Sequence, residues 1–195
     1  MYNADLEHCY ITIPKNASSF LREHFEVNNW QHFHLDMKMH VRTNIIILRD
    51  PIDRWITGIS QHITTNILGE NFGSTHFLEH ANELVERLIF DQIVFDDHTE
   101  QQSWFLEPFD LDNSVFFKFD HLLAHNLDSY FSKYNVSYDL KNKPFVNASK
   151  NSFDNSNLVT YFKELIYNNK KYYNSVQSYY AKDYNLINSV KFYAG

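Results

Sequence analysis

The fold of this chain is decided by residues 10–21, YITIPKNASSFL. A short β-branched apolar run stops at Pro14, and small polar residues then lead into an amphipathic segment. Because the residue before a proline is pushed into an extended conformation, the pattern predicts a strand that continues to Ile13. A tight turn follows, and then a helix that is capped by Asn16, Ser18 or Ser19.

The turn after Pro14 has the features of an anion-binding site. A helix N-terminus offers backbone N–H donors and a partial positive charge, the serine hydroxyls add donors, and Lys15 adds a full charge. We therefore expect Lys15 and the N–H groups of residues 16–19 to bind an anion. An ordinary strand-to-helix turn with an exposed lysine is the alternative interpretation.

A second stretch, residues 44–58 with the sequence NIIILRDPIDRWITG, repeats the arrangement. Its apolar strand ends at Arg49, and a helix is expected from about residue 53 to residue 65. Two strands then deliver cations at their carboxyl ends, which is the edge where open α/β sheets bind ligands. Arg54 is expected either to reach that ligand or to pack or pair with Asp50.

The rest of the chain continues to alternate strand and helix patterns. Residues 114–119 predict a third strand, and the alternation predicts a parallel sheet with helical crossovers. An apolar stripe at helical spacing runs from Phe77 to Ile93 and is expected in the core. Further helices are expected over residues 120–134, 158–167 and 172–187, with loops over residues 66–75, which could form a lid, and over residues 141–157.

These two stretches together resemble the sulfotransferase family. Residues 13–19 are similar to its 5′-phosphosulfate loop, a Pro-Lys followed by small and hydroxyl residues. Residues 48–58 are similar to its 3′-phosphate motif, Arg-x-Pro-x-x-Arg-x-x-Ser, with Thr57 in the place of the serine. Weaker similarities to the carbohydrate-type branch follow along the chain, at residues 97–102 (DHTEQQ), 117–122 (FKFDHL) and 180–184 (YAKDY).

The resemblance implies a fold, an activity and a set of ligands. The fold is a single α/β domain over residues 1–195, P-loop-like and three-layered, with helices on both sides of a central parallel sheet. The activity is transfer of a sulfuryl group from 3′-phosphoadenosine-5′-phosphosulfate (PAPS) to a hydroxyl, with the 3′,5′-bisphosphate nucleotide (PAP) as product. In the carbohydrate-type branch, the hydroxyl belongs to a carbohydrate. The donor-binding residues are Lys15, which is also catalytic, Asn16, Ala17, Ser18 and Ser19 at the 5′ side, and Arg49, Thr57 and Lys150 at the 3′ side.

Lys150 is assigned from a further short similarity. It belongs to Asn147-Ala148-Ser149-Lys150, which resembles a family element near the nucleotide, and a solvated lysine is the alternative.

The acceptor hydroxyl needs a general base, and two histidines compete for that role. His98 lies in a polar cluster in which neighbouring carboxylates can orient its imidazole. His34 lies between the two phosphate motifs, where several branches of the family carry the base; a surface histidine on a loop is the alternative. A metal held by His32, His34 and His40 is disfavoured, because no carboxylate or cysteine falls at a familiar ligand spacing and the reaction needs no metal.

Composition limits the class of protein. With 195 residues, of which 44% are hydrophobic, the chain is long enough for one domain with a proper core. A net charge of −7 argues against a nucleic-acid or anionic-membrane binder. Cys9 is the single cysteine and is expected to be a small buried residue, which fits a reducing compartment.

Localisation and alternative functions follow from what the sequence lacks. No run has the length of a membrane span and no signal-peptide pattern is present, so we expect a soluble, cytoplasmic protein that acts on a small molecule or a glycan. The sequence does not indicate an oligomeric state. A small-molecule kinase would need a Gly-Lys-Ser/Thr loop, which the first turn does not have. A nucleotide-binding module without catalysis is the other alternative, and the presence of Lys15 with two candidate bases argues against it.

Overall fold

A computed structural model describes residues 1–32, 41–67, 74–88, 90, 92–143 and 152–195. Over these residues the chain is mixed α/β, as the sequence predicts. The strands are β1 (Tyr2–Asn3), β2 (His8–Ile11), β3 (Thr43–Leu48) and β4 (Ser114–Lys118). The helices are α1 (Ser18–Glu26), α2 (Pro51–Ile67), α3 (Ser74–Leu88), α4 (Gln102–Leu106), α5 (Leu123–Ser132), α6 (Ser152–Asn168), α7 (Lys170–Tyr179) and α8 (Ala181–Ser189), with a 3₁₀ turn at Leu140–Asn142.

The four described strands form one sheet in the order β1-β2-β3-β4. The three strands predicted from the sequence are confirmed as parallel neighbours, with Ile11 opposite Ile46 and Leu48 opposite Lys118. The edge strand β1 is antiparallel to β2, and its two residues are too few to show a periodic pattern. The sheet is therefore mostly, not wholly, parallel.

The strand β2 ends at Ile11, so the predicted end at Ile13 is wrong by two residues. The carbonyl of Ile47, one residue beyond the last β2–β3 pair, accepts a hydrogen bond of 2.7 Å from the side-chain amide of Asn16. A side chain from the following turn thus takes a position where the strand ladder would otherwise continue.

The chain forms two compact units. The first unit comprises Met1–Arg49, Phe105–Ala148 and Ile187–Gly195, and the second comprises Asp50–Trp104 and Ser149–Leu186. That the whole chain is a single domain stays a prediction.

In the first unit, the core lies where helices cover one face of the sheet. Alternate strand residues Tyr10, Ile45, Ile47 and Phe117 are buried there together with residues of α1 and α5. The residues between them are buried as well, which is typical of parallel sheets and explains their continuous apolar sequences. Cys9 is one of these, and its burial raises the pKa of the thiol to about 11, as expected for an inert core cysteine.

In the second unit, the core lies between helices. The face of α2 predicted from the sequence is confirmed, since Trp55, Ile56, Ile59 and Ile63 are all buried. The helix begins at Pro51 and not near Asp53, because the Asp50 carboxylate accepts from the N–H of Asp53 at 2.9 Å and proline suits the first helical position. The other buried residues of this core come from α3 (Phe77, Ala81, Leu84, Leu88), from α6 (Leu158, Phe162, Ile166), from α7 (Val176) and from Ile52, Ile93 and Tyr180.

Three boundaries differ from the sequence predictions. The helix α6 begins at residue 152, inside the segment predicted as a loop. The prediction missed this start because the apolar spacing of the helix becomes clear only from Leu158 onward. The helix predicted over residues 172–187 is two helices that meet at Tyr180, and the Asn169 side chain caps the first by accepting from two backbone N–H groups. The helix predicted over residues 120–134 is shorter at both ends. Residues 68–73 of the predicted lid lie outside the described residues, and its ends belong to α2 and α3.

Candidate functional site

The turn after β2, residues 14–19, is here called the first loop. Its backbone is left-handed at two non-glycine residues, Lys15 with φ 68° and Ala17 with φ 59°. Each such residue costs about 1–2 kcal/mol relative to right-handed backbone. Alternation of left-handed with other residues turns successive N–H groups toward one concavity, an arrangement that binds anions in many proteins. In this loop the N–H of Asn16 donates to the Ile13 carbonyl at 3.2 Å, so the anion-site prediction depends on the N–H groups of residues 17–19.

The first turn of α1 has no side-chain cap. The N-cap residue is Ala17, so the predicted caps Asn16, Ser18 and Ser19 are wrong. Asn16 is buried and donates to the Ile47 carbonyl instead, which ties the first loop to β3. Since the first N–H groups of a helix have no acceptor within it, this helix start keeps donors and partial positive charge.

Arg49 extends from the end of β3 to the first loop. Its Nη1 donates to the Lys15 carbonyl at 3.2 Å, and its guanidinium lies 4.8 Å from the centre of the Phe119 ring. Phe119 itself is held by a 2.8 Å bond from its N–H to the Leu48 carbonyl. The ends of β2 and β3 thus bring the backbone of Lys15 and the guanidinium of Arg49 together in the first unit.

The start of α2, in the second unit, differs from the start of α1. The Asp50 carboxylate caps it, and the Asp53 carboxylate lies in the first turn. Both carboxylates therefore offset the positive end of the helix dipole with negative charge. Thr57 donates its hydroxyl proton back to the carbonyls of Arg54 at 2.9 Å and Asp53 at 3.2 Å. The hydroxyl would have to rotate before it could donate to a phosphate.

His98 belongs to a loop of the second unit, residues 95–102, here called the histidine loop. Asp96 binds His98 twice: its Oδ1 accepts from the His98 N–H at 2.9 Å, and its Oδ2 lies 3.2 Å from Nδ1 of the imidazole. The same Oδ2 lies 2.8 Å from Nδ1 of His62 on α2. One carboxylate therefore bridges two histidines.

The two histidines decide the ionisation of Asp96. Burial favours the neutral acid, but hydrogen bonds to His98 and His62, together with their charge when protonated, outweigh it and lower the pKa of Asp96 to about 2. Asp96 is consequently a carboxylate at neutral pH.

A face of α2 holds the histidine loop in place. Arg54 is fully buried and donates to the carbonyls of Asp97, at 3.3 Å, and Glu100. One turn later Gly58 passes so close to the loop that a Cβ atom there would lie 2.1 Å from the His98 carbonyl oxygen. One further turn on stands His62. The observed contacts of Arg54 are hydrogen bonds to loop carbonyls.

The C-terminal helices bind the other side of the loop. Tyr180 donates its hydroxyl to the Thr99 carbonyl, and the buried Asp183 carboxylate accepts from the N–H groups of Gln102 and Ser103, both at 2.8 Å. Tyr179 donates to Glu100 at 2.9 Å, since burial and then the Glu100 charge raise the pKa of the phenol and keep it protonated. Residues 97–102 and 180–184, which are far apart in sequence, therefore meet in the second unit.

Several predicted residues lie elsewhere. His34, His40 and Lys150 lie outside the described residues. His32 is exposed and pairs with Glu26 at 2.7 Å. Within the described ranges, no group of three or more histidine, cysteine or acidic side chains is placed to hold a metal ion.

Two residues of the His98 cluster are not found by reasoning from the sequence: Asp96, which contacts His98, and His62, which contacts Asp96. Asp96 is one of several acidic residues near His98, and nothing in the sequence says which of them it contacts. His62 has a faint signal, because Arg54, Gly58 and His62 are spaced by four residues and so share one helix face.

Comparisons with known proteins were made against family models, curated proteins and solved structures, and none gave a significant match. In the part of the chain that the structure describes, no helix combines the length and apolar character needed to cross a membrane. The geometry of the two loops is thus the basis for a functional proposal.

Proposed function

We propose that this protein is a sulfotransferase that moves a sulfuryl group from PAPS to an acceptor hydroxyl, most suitably of a saccharide, and releases PAP. One observation carries the proposal: the Arg49 guanidinium donates to the Lys15 carbonyl at 3.2 Å, so the two motifs that resemble the family's phosphate-binding elements lie side by side. The proposal includes a P-loop-like three-layer fold, a cytoplasmic location, no metal, and no nucleic-acid or membrane partner.

The first loop supplies the 5′ side. In the proposed reaction the acceptor oxygen attacks sulfur, the bond from sulfur to the bridging phosphate oxygen breaks, and PAP leaves with that bonding pair. Such transfers depend on in-line positioning and on neutralising charge at the leaving oxygen. Lys15 and the N–H groups of residues 17–19 supply that positive charge, whereas the N–H of Asn16, also predicted to do so, donates to the Ile13 carbonyl at 3.2 Å. The uncapped start of α1 supports this assignment, because its first N–H groups have no acceptor within the helix.

Arg49 supplies the 3′ side, with Thr57 and Lys150 as further donors. A planar guanidinium can grip phosphate oxygens with two parallel hydrogen bonds, which a lysine cannot do. Contact with Phe119 and with the Lys15 carbonyl fixes its plane before a ligand arrives. Recognition of a 3′-phosphate would separate PAPS from ATP, which has none.

His98 is the base we favour, and His34 is the competing candidate. The acceptor O–H must lose its proton as its oxygen bonds to sulfur, and a histidine near neutral pH can take it. The described contacts of His98 with Asp96 support that choice.

Nucleotide binding tests the proposal directly. Thermal unfolding of the wild-type chain should be measured with PAP, ATP, ADP and AMP at equal concentrations. We expect PAP to stabilise most, by about 2.7 kcal/mol at one hundred times its Kd. Arg49→Ala should abolish the preference for PAP over ADP, while Lys163→Ala, which removes an exposed lysine of α6, should leave it unchanged.

The outcomes of that experiment separate the alternatives. Equal stabilisation by ADP and PAP would contradict the 3′ assignment, and preference for ATP would favour a kinase. Where PAP is preferred, ³⁵S-labelled PAPS should be incubated with a panel of saccharides, phenols and amines. Binding of PAP without transfer to any of them, and without release of sulfate, would favour a binding module.

A further inference from the structure

We infer that Asp96 is the positioning residue of the base, that it fixes His98 in the tautomer with Nε2 unprotonated, and that His62 is the second donor to the same carboxylate. The inference rests on the proposed function only for the role of His98 as a base. Its structural content lies entirely within the second unit, in contacts at 2.8–3.2 Å among three side chains.

The charge of Asp96 decides which nitrogen of His98 carries the proton. A carboxylate can only accept hydrogen bonds, so Nδ1 of His98 must donate to it. A neutral imidazole has one N–H, and its lone pair is therefore on Nε2. Within the described ranges Nε2 of His98 has no hydrogen-bond partner, and the side chain is 37% exposed. The atom that a general base needs is thus both unprotonated and accessible.

The histidine loop prevents the carboxylate from turning away. Oδ1 of Asp96 is engaged by the His98 N–H, which leaves Oδ2 directed at the two imidazoles. The Thr99 hydroxyl accepts from the N–H groups of Phe95 and Asp96 at 2.8 and 3.0 Å, which fixes the backbone of Asp96 itself. Arg54 donates to the carbonyls of Asp97 and Glu100, one before and one after His98 in the chain.

His62 has a different role from His98. Its side chain is 16% exposed against 37% for His98, and its ring lies 5.7 Å from the Phe95 ring. A second N–H donor at Oδ2 stabilises the ionised form of Asp96. His62 therefore acts on the base through Asp96.

The proton balance of the step is simple. As the acceptor oxygen bonds to sulfur, its proton moves to Nε2 of His98, and the imidazole becomes an imidazolium with a proton on each nitrogen. The negative charge of Asp96, 3.2 Å from Nδ1, stabilises that cation, and Asp96 keeps its own charge throughout. The imidazolium later releases the proton to water.

The substitution Asp96→Asn is the sharpest test, because an asparagine keeps an oxygen for the His98 N–H and replaces the other oxygen by an NH₂ donor. His98 must then accept through Nδ1, and its proton moves to Nε2. Long-range ¹H–¹⁵N correlation spectra, assigned by the loss of signals in His98→Gln, report the tautomer directly. We expect the Nδ1–H form in the wild type and the Nε2–H form in Asp96→Asn. With PAPS and an acceptor, kcat should fall about 10²-fold or more, and the Kd for PAP should stay within about twofold of the wild-type value because Asp96 is not one of the proposed nucleotide-binding residues.

Asp110→Asn is the matched control. Asp110 accepts from the N–H two residues later, at 3.1 Å, as Asp96 does, and no histidine contact of its carboxylate is recorded among the described residues. It should change neither the tautomer nor the rate.

Asp96→Asn spectra and rates like those of the wild type would overturn the inference. A wild-type His98 in the Nε2–H form would also overturn it, and that result needs no variant. A tautomer switch without loss of rate would show that His98 is not the base. If PAP fails to bind the wild type, the proposed function fails, while the nucleotide-free spectra still decide the positioning contact.

Discussion

The first loop and the histidine loop differ in what holds them in place. The first loop is fixed by its own backbone, with left-handed residues at Lys15 and Ala17, and by side chains close to it in sequence or in the sheet. Asn16 bonds to β3, and Arg49 at the end of β3 donates to the Lys15 carbonyl. The histidine loop is fixed by side chains from helices that precede it and follow it by forty to eighty residues, notably Arg54, Tyr180 and Asp183.

This difference teaches how the two loops can tolerate change. In the proposed anion site the donors of the first loop are main-chain groups, so most substitutions would leave them in place, and only the charge of Lys15 is carried by a side chain. In the histidine loop the geometry depends on buried polar groups, each of which is costly to leave without its partner. We therefore expect activity to depend on Lys15 more than on other side chains of the first loop, and stability to be sensitive to substitutions around the histidine loop.

The largest effect is expected for Lys15→Ala. Loss of one charge at the leaving oxygen should lower the rate of sulfuryl transfer from labelled PAPS by about 10²–10³-fold. The free energy of unfolding should change by less than about 0.5 kcal/mol, because alanine meets the same left-handed strain as lysine. Lys163→Ala is the control for loss of an exposed charge. Transfer at the wild-type rate in Lys15→Ala would remove Lys15 from the mechanism.

The two loops also differ in how well the sequence predicts them. The first loop was predictable because its determinants are contiguous: a strand, Pro14, Lys15 and small residues. Its cap was predicted wrongly because Ala17 adopts a left-handed backbone that favours glycine or asparagine, and no rule selects alanine there. The mixed α/β character and the three longer strands were predictable for the same reason, whereas β1 is too short to show a pattern, and the P-loop-like three-layer fold stays a prediction.

The histidine loop was predictable only in part. His98 could be selected as a candidate from a short motif, but the contact of His62 with Asp96 joins residues 34 positions apart. Such contacts depend on how a helix packs against a loop, which a single sequence does not encode in a local pattern. The apolar face of α2 was predictable from its period, whereas the use of Arg54 as a buried donor to backbone carbonyls was not.

Arg54→Ala should have the largest effect on stability. It removes a buried guanidinium that makes two charge-assisted hydrogen bonds, each worth about 1.5–3 kcal/mol, and leaves the loop carbonyls without those donors. We expect a loss of about 3 kcal/mol or more in urea unfolding, with an unchanged m value. Arg87→Ala, at an exposed position of α3, should cost less than about 0.5 kcal/mol. Equal losses for the two variants would mean that Arg54 does not hold the loop.

Gly58→Ala tests the same packing through the sign of its effect. In an ordinary helix interior this change stabilises by about 1 kcal/mol. Here the new Cβ would lie 2.1 Å from the His98 carbonyl oxygen, so we expect a loss of about 1–3 kcal/mol as helix and loop separate. Thr65→Ala, at an exposed position of α2, should change stability by less than about 0.5 kcal/mol. A stabilised Gly58→Ala would show that the loop does not lie against this helix.

The smallest effect is expected for Ala17→Gly, which tests whether the backbone of the first loop is strained. Glycine adopts the left-handed backbone at residue 17 without the clash that alanine meets, and it is also the better N-cap residue, while its extra freedom in the unfolded chain offsets part of the gain. We expect a net stabilisation of about 0.5–1 kcal/mol, measured by the urea midpoint.

The same substitution within α5, Ala124→Gly, is the control and should destabilise by about 1 kcal/mol. Opposite signs at the two positions would show that the backbone of the first loop is strained in solution, and equal losses would show that residue 17 is not left-handed there. Because Ala17→Gly removes no hydrogen-bond donor, we expect it to leave PAP binding intact.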